Sequence, residues 1–198
     1  MRLYLFILLG LLCVGCSQKN EGCKVWSQIA DDPTSPLRAV PVEAPGLPNL
    51  FKVSDDLYRS AQPEVGGMTS AKKLGIKTVI SLRETELDRE LNEKEQTGLN
   101  LIHLPIVTWN VRDENILDAM RAIRDAPKPI LVHCRHGADR TGLTVAMYRI
   151  VYQGWEKSCA KQELVNGGFG YHAIWINIPK EIDNADIDAI RQILGVHP

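Results

Sequence analysis

From residue 49 onward the sequence predicts an α/β fold, a central and largely parallel sheet flanked by helices. Two observations predict it. Short apolar runs of strand length alternate with polar segments whose apolar residues recur at helical spacing. One such run, "PILVHC", passes straight into a glycine-bearing turn and a further helix.

The elements follow in order. "FKVSDDLYRSAQP" reads as two short strands around a turn at Ser54, Asp55 and Asp56, and "MTSAKKLG" as a short helix closed by Gly75. "IKTVISLR" is a buried strand, with Ile76, Val79, Ile80 and Leu82 and no breaker. "TELDRELNEKEQTG" reads as a polar helix, with Thr85 and Asp88 in capping-box spacing and Gly98 as its stop. "LNLIHLPIV" is another strand. Residues 114–125 place Ile116, Leu117, Met120 and Ile123 on one helical face, before "APKP" ends the helix. After "PILVHC" and its loop, Leu143, Met147, Ile150 and Val151 recur at helical spacing. Two more helices are expected near 156–166 and 180–194.

The 198 residues suit one domain, residues 49–198, with a substantial core. A net charge of −1 gives no general attraction for nucleic acid or an anionic membrane, so any affinity for an anionic substrate must be local. Residues 1–16 differ from the rest. Arg2, a leucine-rich run to Val14, then Gly15 and Cys16 have the shape of a secretory signal, too short to span a bilayer comfortably. "CVGCS" resembles a bacterial lipoprotein box, which implies lipidation of Cys16 and a domain anchored in the cell envelope, facing the periplasm or the exterior. Ser17 in place of Asp implies outer-membrane retention in that pattern. Cys13 departs from the usual aliphatic residue, which keeps plain secretion or a retained anchor open. Residues 17–48, with five prolines between Pro33 and Pro48, read as a flexible tether.

Beyond the targeting segment stand Cys23, Cys134 and Cys159, an odd number, so at least one thiol stays free or pairs between chains. Cys23 reads as a tether residue and Cys159 as a small buried hydrophobe.

The chemistry concentrates in "HCRHGADRTG", His133 to Gly142. A loop at the carboxyl end of a strand and the amino end of a helix lies where ligands bind in open α/β sheets. Backbone N–H groups there lack intrahelical partners and the helix dipole adds positive potential, so a phosphate-sized anion is favoured. Gly137 allows tight curvature, and Arg140 carries the planar fork that grips two phosphate oxygens. An electropositive cradle also favours the thiolate form of a cysteine placed within it. Thr141 is positioned to donate a hydrogen bond to the sulfur of Cys134.

Cys134, five residues, Arg140 and Thr141, preceded by His133, resemble the signature loop of the protein tyrosine and dual-specificity phosphatases. "LYRSAQP", "KKLGIKTVISLRE" and "LIHLPI" extend the likeness to the compact atypical dual-specificity branch, over roughly residues 50 to 178. The resemblance implies attack by Cys134 on phosphorus, a phosphocysteine intermediate and hydrolysis by water, with no metal or cofactor. Arg140 would stabilise the transition state. Residues Arg135, His136, Gly137, Ala138 and Thr141 would line the phosphate, with His133 in support.

The general acid has two candidates. Asp113 lies in the loop after "LIHLPI", where the family carries its acid, and reads equally as a helix N-cap. Asp139 sits inside the signature loop, where myotubularin-like lipid phosphatases carry Asp, and reads otherwise as a loop brace. Arg59 and Arg83 are expected near the same sheet edge, adding positive charge. Tyr171 and His172 are candidates to close over the site. The substrate implied is a phosphorylated protein or a small phosphate ester, with inositol phosphates or phosphoinositides as the alternative. A silent phosphate-binding or redox-sensing module is the reading from another class.

Overall fold

The computed structural model describes Cys23, Asp32, Ser35 and residues 37–196. The signal segment 1–16, with its lipidation candidate Cys16, lies outside the described residues.

Six strands form one sheet: β1 (Val40–Pro41), β2 (Phe51–Lys52), β3 (Leu57–Ser60), β4 (Thr78–Ser81), β5 (Asn100–His103) and β6 (Ile130–His133). Their order is β1-β2-β3-β6-β4-β5. The two pairings at the β1 edge are antiparallel, and β3, β6, β4 and β5 are mutually parallel. The sheet is therefore largely parallel, as expected. Strand β6 sits between β3 and β4, so the loop it feeds emerges from the middle of the sheet.

The alternation of side chains along each strand builds two cores. Leu57, Ile80, Ile130 and Val132 join the larger one. Tyr58, Val79 and Leu131 face the other way, into a smaller core with Met68, Ala71 and Ile76. Helix α1 (Gly67–Lys73) contributes to this smaller core, and α2 (Asp88–Lys94) lies on the same side, against Gln62 and His133. On the larger face lie α3 (Asp113–Asp125), α4 (Asp139–Gln153), α5 (Lys157–Asn166), α6 (Asn177–Asn184) and α7 (Ile187–Leu194). Helix α4 is the hub. From Thr141 to Val151 every residue is buried, so its environment is apolar on all sides rather than along one stripe. The charge of Arg149, 1% exposed, is matched by Glu163 of α5 through two hydrogen bonds of 3.0 and 2.7 Å, and lies over the ring of Trp155.

Four expectations need correction. The polar helix runs only over Asp88–Lys94, with Leu87 at its N-cap and no Thr85–Asp88 capping box, because the Asp88 side chain is drawn inward. The stretch 180–194 is two helices, since Ala185 is extended and Asp186 caps α7 by accepting from the N–H of Ala189. The end of the expected tether is part of the domain. Val40 and Pro41 pair with β2, and Ala39 and Leu47 are buried. Cys23 and Cys159 are neither a tether residue nor a lone hydrophobe. They form a disulfide with Cα atoms 4.9 Å apart. Cys134 is the free, buried thiol that the odd count requires.

Candidate active site

The loop 134–138 joins β6 to α4 and is held from behind. Three successive carbonyls are pinned outward. The oxygen of Arg135 accepts from the N–H of Gln62 at 3.3 Å, that of His136 from Asn49 Nδ2 at 2.9 Å, and that of Gly137 from Arg59 Nη2 at 2.7 Å. Turning the carbonyls outward leaves the amides to converge on the inside. None of the backbone N–H groups of Arg135, His136, Gly137 and Ala138 has a protein acceptor among the described residues. Gly137 is required twice over. Its φ is +70°, and a Cβ there would stand 2.5 Å from the carbonyl of Ser60. A cup of free amides beside a helix N-terminus is an anion site by construction.

Cys134 lies at the floor of this cup, 2% exposed. Arg140, in the first turn of α4, extends across the carboxyl ends of the strands. Its Nη1 donates to the carbonyl of Ile106 at 3.1 Å and makes a long contact of 3.5 Å to that of Leu82. Glu84 lies 3.9 Å from the guanidinium and is exposed, which makes it a weak competitor for the charge. The bond expected from Thr141 to the sulfur is not formed. The Thr141 hydroxyl is buried in the packing of α4 and has no hydrogen-bond partner among the described residues.

His133 links the start of the loop to helix α2. Its Nδ1 lies 3.3 Å from the Cys134 carbonyl, and its Nε2 is 2.7 Å from Oδ2 of Asp88, both side chains almost wholly buried. Gln62 donates to the other Asp88 oxygen at 2.7 Å and accepts from Arg83 at 3.0 Å. Burial pushes the Asp88 carboxyl up, but the bond to His133 and its charge, with help from Gln62 and Ser81, outweigh this and leave it below the usual range. Arg83 thus connects through Gln62, Asp88 and His133 to the backbone of Cys134. Asp88 is the residue the sequence reading missed. The sequence pairs it with Thr85 at capping-box spacing, and nothing local marks it as buried.

Arg59 is likewise not a surface cation. It is 1% exposed, stacked 3.8 Å from the centre of the Phe169 ring, beneath the loop it braces. Burial brings its pKa down to about 10, against the opposing influence of Glu163 and Cys134.

The acid candidates separate. Asp113 is exposed at the first position of α3, with Arg112 rather than Asp113 at the cap. Its charge acts on Glu181 of α6, which burial and then Asp113 hold above the usual range. Asp139 is buried in the first turn of α4, and both its oxygens are engaged by His172, one by the backbone N–H at 2.9 Å and one by Nδ1 at 2.8 Å. The segment 167–176, with Tyr171 and His172, is therefore fastened to the phosphate loop. Arg135 and His136 are exposed at the mouth. His136 is held below the ordinary histidine range by burial first, then by His172 and Arg135.

A cysteine on the floor of an amide cup with an arginine at its rim defines a cysteine-dependent phosphatase. The chain belongs to the dual-specificity and tyrosine phosphatase family: the model described as the DSP-PTPase phosphatase fused to NAD+ kinase matches residues 49–173. Among its relatives, "Dual specificity protein phosphatase TpbA" of Pseudomonas aeruginosa is 35% identical over 168 residues, covering 79% of this chain and 76% of that protein. "Inositol diphosphatase DSP3" of Arabidopsis thaliana is 29% identical over 154 residues, 74% of each. The crystal structure of P. aeruginosa TpbA in complex with pTyr superposes with a TM-score of 0.71 at 36% identity, covering 82% of this chain and 98% of that one.

Proposed function

We propose that the protein removes phosphate from phosphorylated proteins, phosphotyrosine foremost, at the cell envelope, with Cys134 as nucleophile. The observation that carries the catalytic roles is the loop whose carbonyls are pinned back by Asn49, Arg59 and Gln62, so that its amides close around the thiol's floor position. The Cys134 thiolate attacks phosphorus, forming the S–P bond as the ester P–O bond breaks. Arg140 and the amides of 135–138 take the charge of the equatorial oxygens. Water then cleaves the phosphocysteine and releases inorganic phosphate.

The leaving oxygen needs a proton. We assign it to Asp139, which remains with the loop, over Asp113, which stands exposed on α3 beside Glu181. His172 Nδ1, on Asp139 Oδ2, then relays the proton between the carboxyl and solvent. Asp139→Asn is expected to lower kcat on an alkyl phosphate at least about tenfold more than on an aryl phosphate with a good leaving group. Equal losses on both esters would make Asp139 a brace only.

The substrate class rests on the TpbA complex with pTyr and on Ala138, which places no extra cation in the loop for a polyanionic ring. A panel of phosphotyrosyl peptides, inositol phosphates and phosphoinositide vesicles is expected to give the highest kcat/KM on the peptides. A preference for the inositol compounds would transfer the assignment to the chemistry named for the Arabidopsis relative. Export is supported by the signal-shaped N-terminus and by the Cys23–Cys159 disulfide, a bond that persists in oxidising compartments. Lipidation of Cys16 would leave the domain on the envelope surface.

A further inference from the structure

We propose that His136, Asp139 and His172 form a site for one divalent cation of borderline softness, zinc(II) fitting best, which joins the segment 167–176 to the phosphate loop. One donor atom from each of the three residues lies within 4.8 Å of the others. The two imidazole rings are 5.1 Å apart, centre to centre, and tilted by 58°. Donors bound to one zinc at about 2.0–2.1 Å stand roughly 3.3 Å apart. Closing the remaining gap takes side-chain rotations of about 1 Å, which the exposed rings of His136 and His172 are free to make. Asp139 is the fixed member, buried and already tied to the backbone N–H of His172.

The donor set selects the ion. Two imidazoles and one carboxylate suit zinc and its first-row neighbours, whereas magnesium and calcium prefer oxygen throughout. Arg135 and Arg140 lie close by and repel any cation. Only an ion that forms strong bonds to neutral nitrogen overcomes that field. Two imidazoles and one carboxylate give three protein ligands, which leave a fourth position for water, as in open zinc sites.

The consequence for activity follows from the chain positions. His136 and Asp139 belong to the loop that encloses Cys134, and His172 belongs to the segment between α5 and α6. An ion joining them occupies the Asp139 oxygens, which the proposed function uses for proton transfer. Bound metal is therefore inhibitory, and the zinc-free protein is the active form. The existence of the site does not depend on the catalytic reading, because binding is read on a protein that lacks the nucleophile.

The test uses the Cys134→Ser protein, so that the thiolate cannot act as a ligand. Calorimetric titration with zinc chloride is expected to give one ion per chain, and cobalt(II) an absorption spectrum of low coordination number. His136→Ala and His172→Ala are each expected to weaken zinc at least about tenfold. Retained circular dichroism and melting temperature certify each variant, and the exposed His136 gives a second arm if His172→Ala does not fold. In the Cys134 protein, zinc should inhibit alkyl phosphate hydrolysis reversibly with EDTA, and hydrolysis of an aryl phosphate with a good leaving group much less. At least about tenfold more zinc should be needed once His136 is Ala, each variant being compared with its own zinc-free rate. No binding to Cys134→Ser, affinity unchanged by both histidine changes, or inhibition indifferent to His136 would each overturn the proposal.

Discussion

Cys134→Ser is expected to lower kcat on para-nitrophenyl phosphate by at least about 10⁴-fold, with EDTA present throughout and the fold intact. Oxygen for sulfur changes the volume little, and the site is held by its surroundings rather than by the thiol. The carbonyls of 135–137 remain pinned by Gln62, Asn49 and Arg59, and His133 remains fastened to Asp88. A serine hydroxyl is a far weaker acid than a thiol, so serine in this place would need a separate base before it could attack. Anion binding should therefore survive while turnover is lost. The informative pair of measurements is steady-state hydrolysis alongside the affinity for tungstate, an unreactive phosphate mimic. Loss of both would mean that the cup had collapsed. Turnover that persists without the sulfur would place the nucleophile elsewhere.

The loop itself was legible because its chemistry is local. Spacing puts Cys134 and Arg140 on one strand-to-helix turn, and Gly137 marks the place where the backbone must approach β3. The alternation of strands and helices gave the parallel sheet for the same reason, since each period belongs to a single element. What stayed hidden is everything held by partners distant in sequence. Asp88 sits 45 positions from His133, and its inward turn depends on how α2 packs on the sheet, which no window around residue 88 contains. Arg59 reads as a strand-end cation until Phe169 closes over it, 3.8 Å away. Helix α4 presented apolar residues at helical spacing, but only the arrangement of α3, α5, α6 and α7 around it decides that its other faces are buried too. Ala185 ends one helix and Asp186 caps the next, yet the apolar spacing of Ile182, Ile190, Ile193 and Leu194 runs across the break, so the two helices read as one.

Removing the Cys23–Cys159 bond, by Cys159→Ala or by reduction, is expected to cost about 3–5 kcal/mol of stability, read as a drop of roughly 5–15 °C in Tm. The bond joins residues 136 apart, so it encloses all six strands and helices α1 to α4. In the chain-entropy account a loop of that length removes about 5 kcal/mol of freedom from the unfolded chain, near the upper end of what one disulfide supplies. Packing adds to this. Cys159 is completely buried on α5 and, with Cys23 and Trp155, forms a small separate cluster, against which Arg149 stacks on its way to Glu163. Cys23 is thereby fastened to the helix that supplies the counter-charge for α4, the helix that carries Arg140. Thermal unfolding with and without a reductant measures the effect, and the Cys159→Ala protein should melt at the same temperature in both. The reductant that keeps the Cys134 thiol competent opposes the bond that stabilises the fold, so activity and Tm should move in opposite directions as reductant is raised. A wild-type Tm indifferent to complete reduction, verified by thiol counting, would remove the disulfide from any account of stability.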